Sequence, residues 1–371
     1  MKRVNNIYND IVNYRNINNM FDLLIKNISN KKYLYNYIKY RNCFIIDILE
    51  KLHNNNYKFN EYNIFLIKDK KYRIIMSECI NDKLVNYFIS YYILIPNLKR
   101  LIDSNVATRK NKGCEYAYHL FIKYINRLGR NNIYVLKIDI KKYFYNINHD
   151  ILKNKLRRIF KDEKCLNLIY QVIDSTNDRS INNKIITTIN KEIARINKIN
   201  ITGKEKNIKI NELRSIPLYQ EGKGLSIGCL TNQILANYYL HDIDIYIKEV
   251  LKCKNYIRYM DDLIILDNDI NRLRYCFKII KEKINDIDLE VNKKSNIYKL
   301  DNGVSFLGYT YKTNKNKIII KCSKKNIINI KKKLKYLKKN NYEKYLLSLS
   351  SYYGYIKRSN IKRDLYEMIK Y

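Results

Sequence analysis

The sequence is poor in acidic residues and lacks several patterns that would place the protein in other classes. Its eight cysteines are scattered without a Cys-x-x-Cys pair, which argues against a zinc site or a disulfide framework. The longest apolar run, residues 87–98, is interrupted by Ser90, Pro96 and Asn97 and is too short to span a membrane. The opening residues MKRVNNIYNDIV lack the hydrophobic region of a signal peptide. We therefore expect a cytoplasmic protein that has no membrane partner.

The shortage of acidic residues leaves a large positive charge. Lys and Arg number 72 against 35 Asp and Glu, so the formal net charge is +37. Such an excess is typical of proteins that bind the phosphates of a nucleic-acid duplex. Lys, Asn, Ile and Tyr are abundant together, however, which indicates an A/T-rich coding genome and raises the Lys content by itself. The length of 371 residues allows several subdomains with buried cores.

Two adjacent acidic residues stand between apolar segments in YIRYMDDLIIL, residues 256–266. The flanking runs, 256–259 and 263–266, favour strands, and a short turn would put Asp261 and Asp262 at a hairpin tip. Two neighbouring carboxylates repel each other unless a divalent cation neutralises them, and oxygen ligands suit Mg²⁺. A solvated Asp-Asp turn is the alternative interpretation.

A third carboxylate ends an apolar strand in IYVLKIDIKKYFYNI, residues 133–147. Asp139 follows the run 133–138, and a buried strand rarely ends in Asp without a partner for the charge. If this strand lies beside the hairpin, Asp139 and Asp261 can share metal ions, as in phosphoryl transfer assisted by two ions. The alternative is an Asp that caps a helix or sits in a turn.

Between these segments lies GKGLSIGCLTNQILANYYLHDIDIYIKEVL, residues 222–251, which predicts a glycine-rich loop followed by an amphipathic helix. Glycine at positions such as 228 permits close approach of a ligand to the backbone. Asn232, Gln233 and Asn237 could face a groove. Taken alone, this segment fits a tight turn and a core helix better than a ligand-binding loop.

In this order, the segments resemble the motifs of reverse transcriptases. KIDIKKYFYNI is similar to motif A, GLSIGCLTNQILANYYL to motif B and YIRYMDD to motif C. LEVNKKSNIYKLDNGVSFLGY, residues 289–309, resembles motif D and the primer-grip hairpin, while residues 70–89 and 109–117 resemble fingers motifs. The resemblance covers residues 60–360. It implies an α+β right-hand polymerase whose antiparallel palm sheet carries the catalytic aspartates.

The resemblance also implies a division of the chain. A helical N-terminal extension would occupy residues 1–55 and the fingers 56–130. The palm would span 131–315 and include a polar, irregular insertion at about 174–215. A short basic thumb would occupy 316–371.

Metal-binding roles follow from the resemblance. Asp139, Asp261 and Asp262 would be catalytic and would hold two Mg²⁺ ions, or Mn²⁺, together with the Ile140 carbonyl. Lys294 of motif D would protonate or stabilise the leaving pyrophosphate.

Substrate-binding roles are implied in the same way. Arg73 would grip the triphosphate, and Phe144 would be the aromatic steric gate that favours dNTPs over rNTPs. Gly228 and Gln233 would lie under the templating base pair and the dNTP. The expected primer-binding residues are Phe306, Leu307, Gly308 and Tyr309. In the thumb, phosphate contacts are expected from Lys331, Lys332, Lys333 and Lys335, the alternative being an ordinary solvated lysine face.

Motif B indicates which subgroup of reverse transcriptases the sequence resembles. It is similar to the IGNLTSQ form of diversity-generating retroelement enzymes and of related bacterial enzymes tied to phage defence. Ser226 stands where that group usually has Pro, and Asn232 where it usually has Ser. Expected partners are an RNA template, the DNA product, dNTPs, and a structured noncoding RNA or a small accessory protein, and the chain could form an oligomer.

Two other functions remain as alternatives. A catalytically silent nucleic-acid-binding scaffold would not need the intact Asp139, Asp261 and Asp262. An RNA-dependent RNA polymerase normally lacks the aromatic gate and has Gly where Met260 precedes the aspartate pair.

Overall fold

The structure is a computed structural model that describes residues 3–28, 31–68, 71–98 and 101–360. Residues 361–371 of the expected thumb and Lys70 of an expected fingers motif lie outside the described residues.

The strands of the described residues pair antiparallel with one another. In chain order they are β1 (Asn63–Lys68), β2 (Tyr72–Ser77), β3 (Tyr134–Asp139), β4 (Tyr256–Tyr259), β5 (Asp262–Asp267), β6 (Asn296–Lys299), β7 (Val304–Phe306), β8 (Tyr309–Asn314) and β9 (Lys317–Cys322). They form separate sheets in the orders β1-β2, β4-β5-β3-β6 and β7-β8-β9.

Helices make up most of the remaining ordered chain. They are α1 (Tyr8–Ile11), α2 (Tyr14–Asn27), α3 (Lys31–Lys39), α4 (Arg41–His53), α5 (Ile80–Phe88), α6 (Ile95–Asn97), α7 (Cys114–Arg127), α8 (Tyr143–Asn146), α9 (His149–Arg157), α10 (Glu163–Asp174), α11 (Arg179–Lys198), α12 (Gly203–Arg214), α13 (Leu230–Tyr239), α14 (His241–Ile245), α15 (Ile270–Asn285), α16 (Lys324–Asn340) and α17 (Tyr342–Ile356). Segments of π-helix occupy Ile89–Leu94 and Tyr246–Val250, and 3₁₀ turns occupy Ser175–Asn177 and Leu300–Asn302.

The first compact unit contains residues 1–101, 141–242 and 285–289. Its β1-β2 hairpin packs against α11, and α13 lies against α5, α9 and α10. Buried isoleucines on α11, including Ile181, Ile185 and Ile189, recur every four residues and so share the helix face that joins the hydrophobic core.

This helix corrects one expectation. The insertion predicted to be irregular contains α11 and α12, and the Asp178 and Thr202 side chains cap their N-termini. The spacing of the isoleucines is the pattern that indicates a helix here. The many Lys and Asn residues between them concealed it.

The second compact unit contains residues 102–140, 243–284 and 290–371. Its core joins the β4-β5-β3-β6 sheet, α7, the β7-β8-β9 sheet and the helices α16 and α17. Rings of Phe121 on α7 and Tyr311 on β8 stack with centroids 4.2 Å apart inside that core.

The mixture of helices with antiparallel sheets agrees with the expected α+β class. The boundaries of fingers, palm and thumb stay a prediction. Within the described residues, no helix combines the length and apolarity needed to cross a membrane.

Candidate active site

The aspartate pair lies at the tip of a β-hairpin in the second unit. Strands β4 and β5 pair in a register that sets Tyr259 opposite Asp262. Met260 and Asp261 form the turn, and Met260 adopts a left-handed conformation with φ of 55°. We call residues 259–262 the catalytic turn, after the role that the sequence predicts for its aspartates. The hairpin agrees with the sequence prediction, but Asp261 lies in the turn whereas Asp262 is the first residue of β5.

Asp139 meets this hairpin at the end of β3. The antiparallel register places Asp139 directly opposite Asp262, so the two side chains share one face of the sheet. Burial raises the pKa of the Asp262 carboxyl; the Lys137 ammonium lowers it and the Asp139 carboxylate raises it further. Two carboxylates are therefore brought together in a partly desolvated place.

The fit of this place to a divalent cation rests on its donor chemistry. Carboxylate oxygens are the ligands that Mg²⁺ prefers, and Mg²⁺ is usually held by one or two carboxylates, with substrate phosphates and water completing the shell. No group of three or more His, Cys, Asp or Glu side chains that could hold a metal occurs in the described part of the chain. Asp139 and Asp262 thus fit an open Mg²⁺ site that shares its ion with a substrate, and they do not form a closed cage.

A buried ion pair supports the backbone of the catalytic turn. Arg258 and Asp244 have fully buried side chains, and the Arg258 Nη2 and Asp244 Oδ2 atoms lie 2.6 Å apart. Arg258 Nε donates a second bond to Asp244 Oδ1, and the Tyr256 hydroxyl donates to the same oxygen. Arg258 Nη1 donates to the Met260 carbonyl at 2.9 Å, so the pair reaches the backbone of the turn.

The other expected residues of the metal region lie in the same unit. Ile140 continues β3 and forms an isolated antiparallel bridge with Val291. Lys294 is exposed in the loop before β6, where its N–H donates to the Asn292 side chain.

The glycine-rich segment of motif B lies in the first unit. We call residues 224–229 the motif B loop. The Met76 N–H of β2 donates to the Ile227 carbonyl at 2.9 Å. Gly228 has φ of +135°, and a Cβ there would meet the Met76 carbonyl oxygen at 2.8 Å. Position 228 therefore requires glycine to seat the loop on β2.

The remaining residues expected at the dNTP lie in the first unit too. Phe144 on α8 is half-buried, and its carbonyl accepts the Leu225 N–H of the motif B loop at 2.7 Å. Gln233 on α13 is also half-buried, while Arg73 is exposed on β2.

Two asparagines of motif B differ from expectation. Asn232 and Asn237 are buried in the first unit and so do not face an open groove. Asn232 Nδ2 donates to Ser226 Oγ at 2.7 Å. The two positions that depart from the usual motif B pattern are therefore direct partners, and both are fully buried.

The FLGY hairpin connects β7 to β8 in the second unit. Leu307 and Gly308 form its two-residue turn with positive φ values of 46° and 90°, whereas Phe306 and Tyr309 are buried in the core. The Tyr355 hydroxyl of α17 donates to the Gly308 carbonyl. Side chains of Phe306 and Tyr309 thus hold the hairpin from within, and its half-buried turn packs against Tyr355.

The basic helix α16 has one apolar face. Ile327, Ile330 and Leu334 are buried against the core, which leaves Lys332, Lys333 and Lys335 exposed and Lys331 half-buried. The cations therefore lie on the remaining circumference of the helix, which they share with exposed Ile328 and Tyr336.

Sequence reasoning missed several supporting residues. The signal for Arg258 and Asp244 was a charge inside an apolar segment, since such a charge needs a partner. Glu78 after β2 is another: it accepts the Asn86 amide at 2.6 Å, and burial raises the pKa of its carboxyl to about 7. Asn292 gave no signal, because asparagine is common throughout the chain.

The comparisons with known proteins agree with this geometry. The family model described as reverse transcriptase (RNA-dependent DNA polymerase) matches residues 66–311, which is more than half of the chain. No curated protein matches the chain at a significant level. The matched segment includes β3, the motif B loop and the catalytic turn, and the family implies a palm-type polymerase fold. The chain therefore belongs to the reverse transcriptase family and is an RNA-directed DNA polymerase, a nucleotidyltransferase that uses a nucleic-acid template and dNTPs.

Proposed function

We propose that the enzyme transfers a nucleotide from a dNTP to a 3′-hydroxyl at a site where Asp139, Asp261 and Asp262 hold Mg²⁺, or Mn²⁺. The observation that carries this proposal is the register of β3 and β5, which sets Asp139 opposite Asp262. Reverse transcriptases generally use divalent ions such as Mg²⁺. In such a site, two ions supply activation of the 3′-hydroxyl and neutralisation of the charge on the leaving pyrophosphate.

The other residues have roles in binding and orientation. Phe144 is half-buried, which suits a ring that contacts the sugar of the dNTP better than a core residue. Arg73 is exposed and carries the charge needed to neutralise a triphosphate. Gln233 and Gly228 would shape the surface under the base pair, Lys294 would deliver a proton to pyrophosphate, and the lysines of α16 would contact phosphates of the duplex.

Substitution of Asp139 tests the proposal. The Asp139→Asn variant should lose dNTP incorporation on an RNA template with a DNA primer, because an amide replaces a charged metal ligand. Incorporation within about tenfold of wild type, a barrier change of roughly 1.4 kcal/mol, would contradict the assignment. The same assay with rNTPs separates this function from RNA polymerisation.

The biological setting that we propose is a bacterial or phage retroelement or anti-phage defence system, with the protein in the cytoplasm. The Ser226–Asn232 bond supports a subgroup apart from the diversity-generating enzymes, because both members of the pair differ from that pattern. Mutagenic copying of a template repeat is the second candidate.

Sequencing of the nucleic acids that copurify with the full chain distinguishes these settings. A structured noncoding RNA and its DNA copy would support defence. A repeat-derived DNA with clustered errors would support the second candidate, as would a small accessory protein bound to the enzyme.

A further inference from the structure

A short loop after α15 forms hydrogen bonds with Asp139. Its residues, 292–295, are Asn292, Lys293, Lys294 and Ser295, and we call them the motif D loop. The Asn292 N–H donates to the Asp139 carbonyl at 2.8 Å. Ser295 Oγ accepts the Asp139 N–H at 3.0 Å and lies 3.3 Å from the Asp139 carbonyl, to which it can donate. The backbone of Asp139 is thus held by the loop on both its donor and its acceptor side.

One side chain of this loop also reaches the carboxylate. Asn292 Nδ2 donates to Asp139 Oδ2 at 2.8 Å, while Asn292 Oδ1 accepts the Lys294 N–H at 3.1 Å. An amide has separate donor and acceptor ends, so Asn292 can make both bonds at once. A carboxylate oxygen has more than one lone pair, so this bond does not prevent Asp139 from binding a cation.

We propose that Asn292 is a positioning residue that sets the orientation of the Asp139 carboxylate for the divalent ion. The inference rests on the proposed function, which makes Asp139 a metal ligand. Loss of the Asn292 bond would remove one restraint on the terminal torsion of the Asp139 carboxylate, and binding of the ion would then have to supply more of the free energy that orders it. Outer partners of this kind typically change metal affinity or activity by 10–100-fold.

The test compares metal dependence in two variants of the full chain. Asn292→Ala should raise the Mg²⁺ concentration needed for half-maximal incorporation by about 10–100-fold. At saturating Mg²⁺, kcat should return to within about threefold of wild type, because the ligand itself is intact. Asn296→Ala is the matched control: this exposed asparagine accepts the neighbouring Ile297 N–H, so its removal should leave metal dependence unchanged.

A second readout does not depend on catalysis. Mn²⁺ binding, followed by the electron paramagnetic resonance of the free ion, should weaken by a similar factor in Asn292→Ala and not in Asn296→Ala. In the Asp139→Asn background, the Asn292 substitution should cause no further change, because its effect acts through Asp139.

The outcomes separate this inference from the proposed function. If Asp139→Asn changes neither Mn²⁺ binding nor incorporation, the metal site itself is wrong. If Asp139→Asn weakens Mn²⁺ binding but Asn292→Ala leaves the metal dependence as in wild type, the role of Asn292 is overturned.

Asn292→Ser is the replacement variant for the test if Asn292→Ala does not fold. The shorter hydroxyl can still accept the Lys294 N–H in the same kind of turn, but it does not reach the Asp139 carboxylate. It should therefore fold and show the same weakened metal affinity; wild-type affinity in this variant would overturn the inference.

Discussion

The catalytic turn and the motif B loop are supported by different kinds of interaction. Beneath the catalytic turn, the Arg258–Asp244 pair is fully buried and joined by two charge-assisted bonds. Around the motif B loop, amides donate to a hydroxyl and to a carboxyl of raised pKa: Asn232 donates to Ser226, and Asn86 donates to Glu78, whose carboxyl interacts with Cys229 of the loop.

This difference bears on how each region tolerates change. A buried ion pair is costly to break, because removal of one partner leaves a desolvated charge. A neutral hydrogen bond contributes only about 1 kcal/mol net, so its loss can be absorbed. We therefore expect substitutions of Arg258 or Asp244 to be poorly tolerated. The motif B loop should accept variation such as that at positions 226 and 232.

The largest effect is expected at Asp244. Asp244→Asn leaves the Arg258 charge buried without its carboxylate and should lower the free energy of unfolding by about 3–5 kcal/mol. Denaturant unfolding measures this change. If the loss is below about 1 kcal/mol, the cost expected of a neutral hydrogen bond, the contrast between the two regions disappears.

A double variant separates stability from catalysis. Asp244→Leu combined with Arg258→Met removes both charges and should recover much of the stability, since apolar replacements of buried ion pairs are often neutral. Incorporation should stay impaired, because the Met260 carbonyl loses the Arg258 donor. A double variant as active as wild type would limit the pair to a structural role.

The features that the sequence predicts are those set by apolar runs and charges. Apolar runs indicate β3, β4 and β5, and Asp139 marks a strand end. The register that places Asp262 opposite Asp139 was not predictable, because β3 and β5 are far apart in the chain, so no hairpin turn fixes their pairing, and a shift of one residue exchanges the faces.

Neutral support residues escaped prediction for a different reason. Asn232 and Asn292 belong to a very common residue type in this chain, so nothing in composition or spacing distinguishes a buried partner from a solvated side chain. Burial and partner choice depend on tertiary packing, which the local pattern does not contain.

A medium effect that depends on pH is expected at Glu78. Burial raises the pKa of this carboxyl to about 7 from an ordinary value of 4.5. Between these values, the folded state keeps a proton that the unfolded state has lost, so stability should fall as pH rises through this window. The total loss should be roughly 1–3 kcal/mol, since one pKa unit corresponds to about 1.4 kcal/mol and the residue is only half-buried.

Glu78→Gln is the matched variant for this measurement. Glutamine keeps an acceptor for Asn86 and a donor in place of the carboxyl proton, but it does not titrate. Urea unfolding at pH 5, 6, 7 and 8 should therefore show the variant gaining stability relative to wild type as pH rises. Parallel pH profiles would mean that the motif B loop has no protonated acid beside it.

The smallest effect is expected for the coupling between Ser226 and Asn232. Their bond joins two fully buried side chains, so each single alanine substitution leaves a buried polar group and should cost about 1–3 kcal/mol. In a double-mutant cycle, Ser226→Ala combined with Asn232→Ala should cost less than the sum of the single variants by about 1 kcal/mol. Additive costs would mean that the two departures from the usual motif B are independent.

Nucleotide incorporation should change little in all three variants, because the bond joins the motif B loop to its own helix and neither side chain reaches solvent. A loss of incorporation as large as that of Asp139→Asn would show that the motif B loop is as intolerant as the catalytic turn.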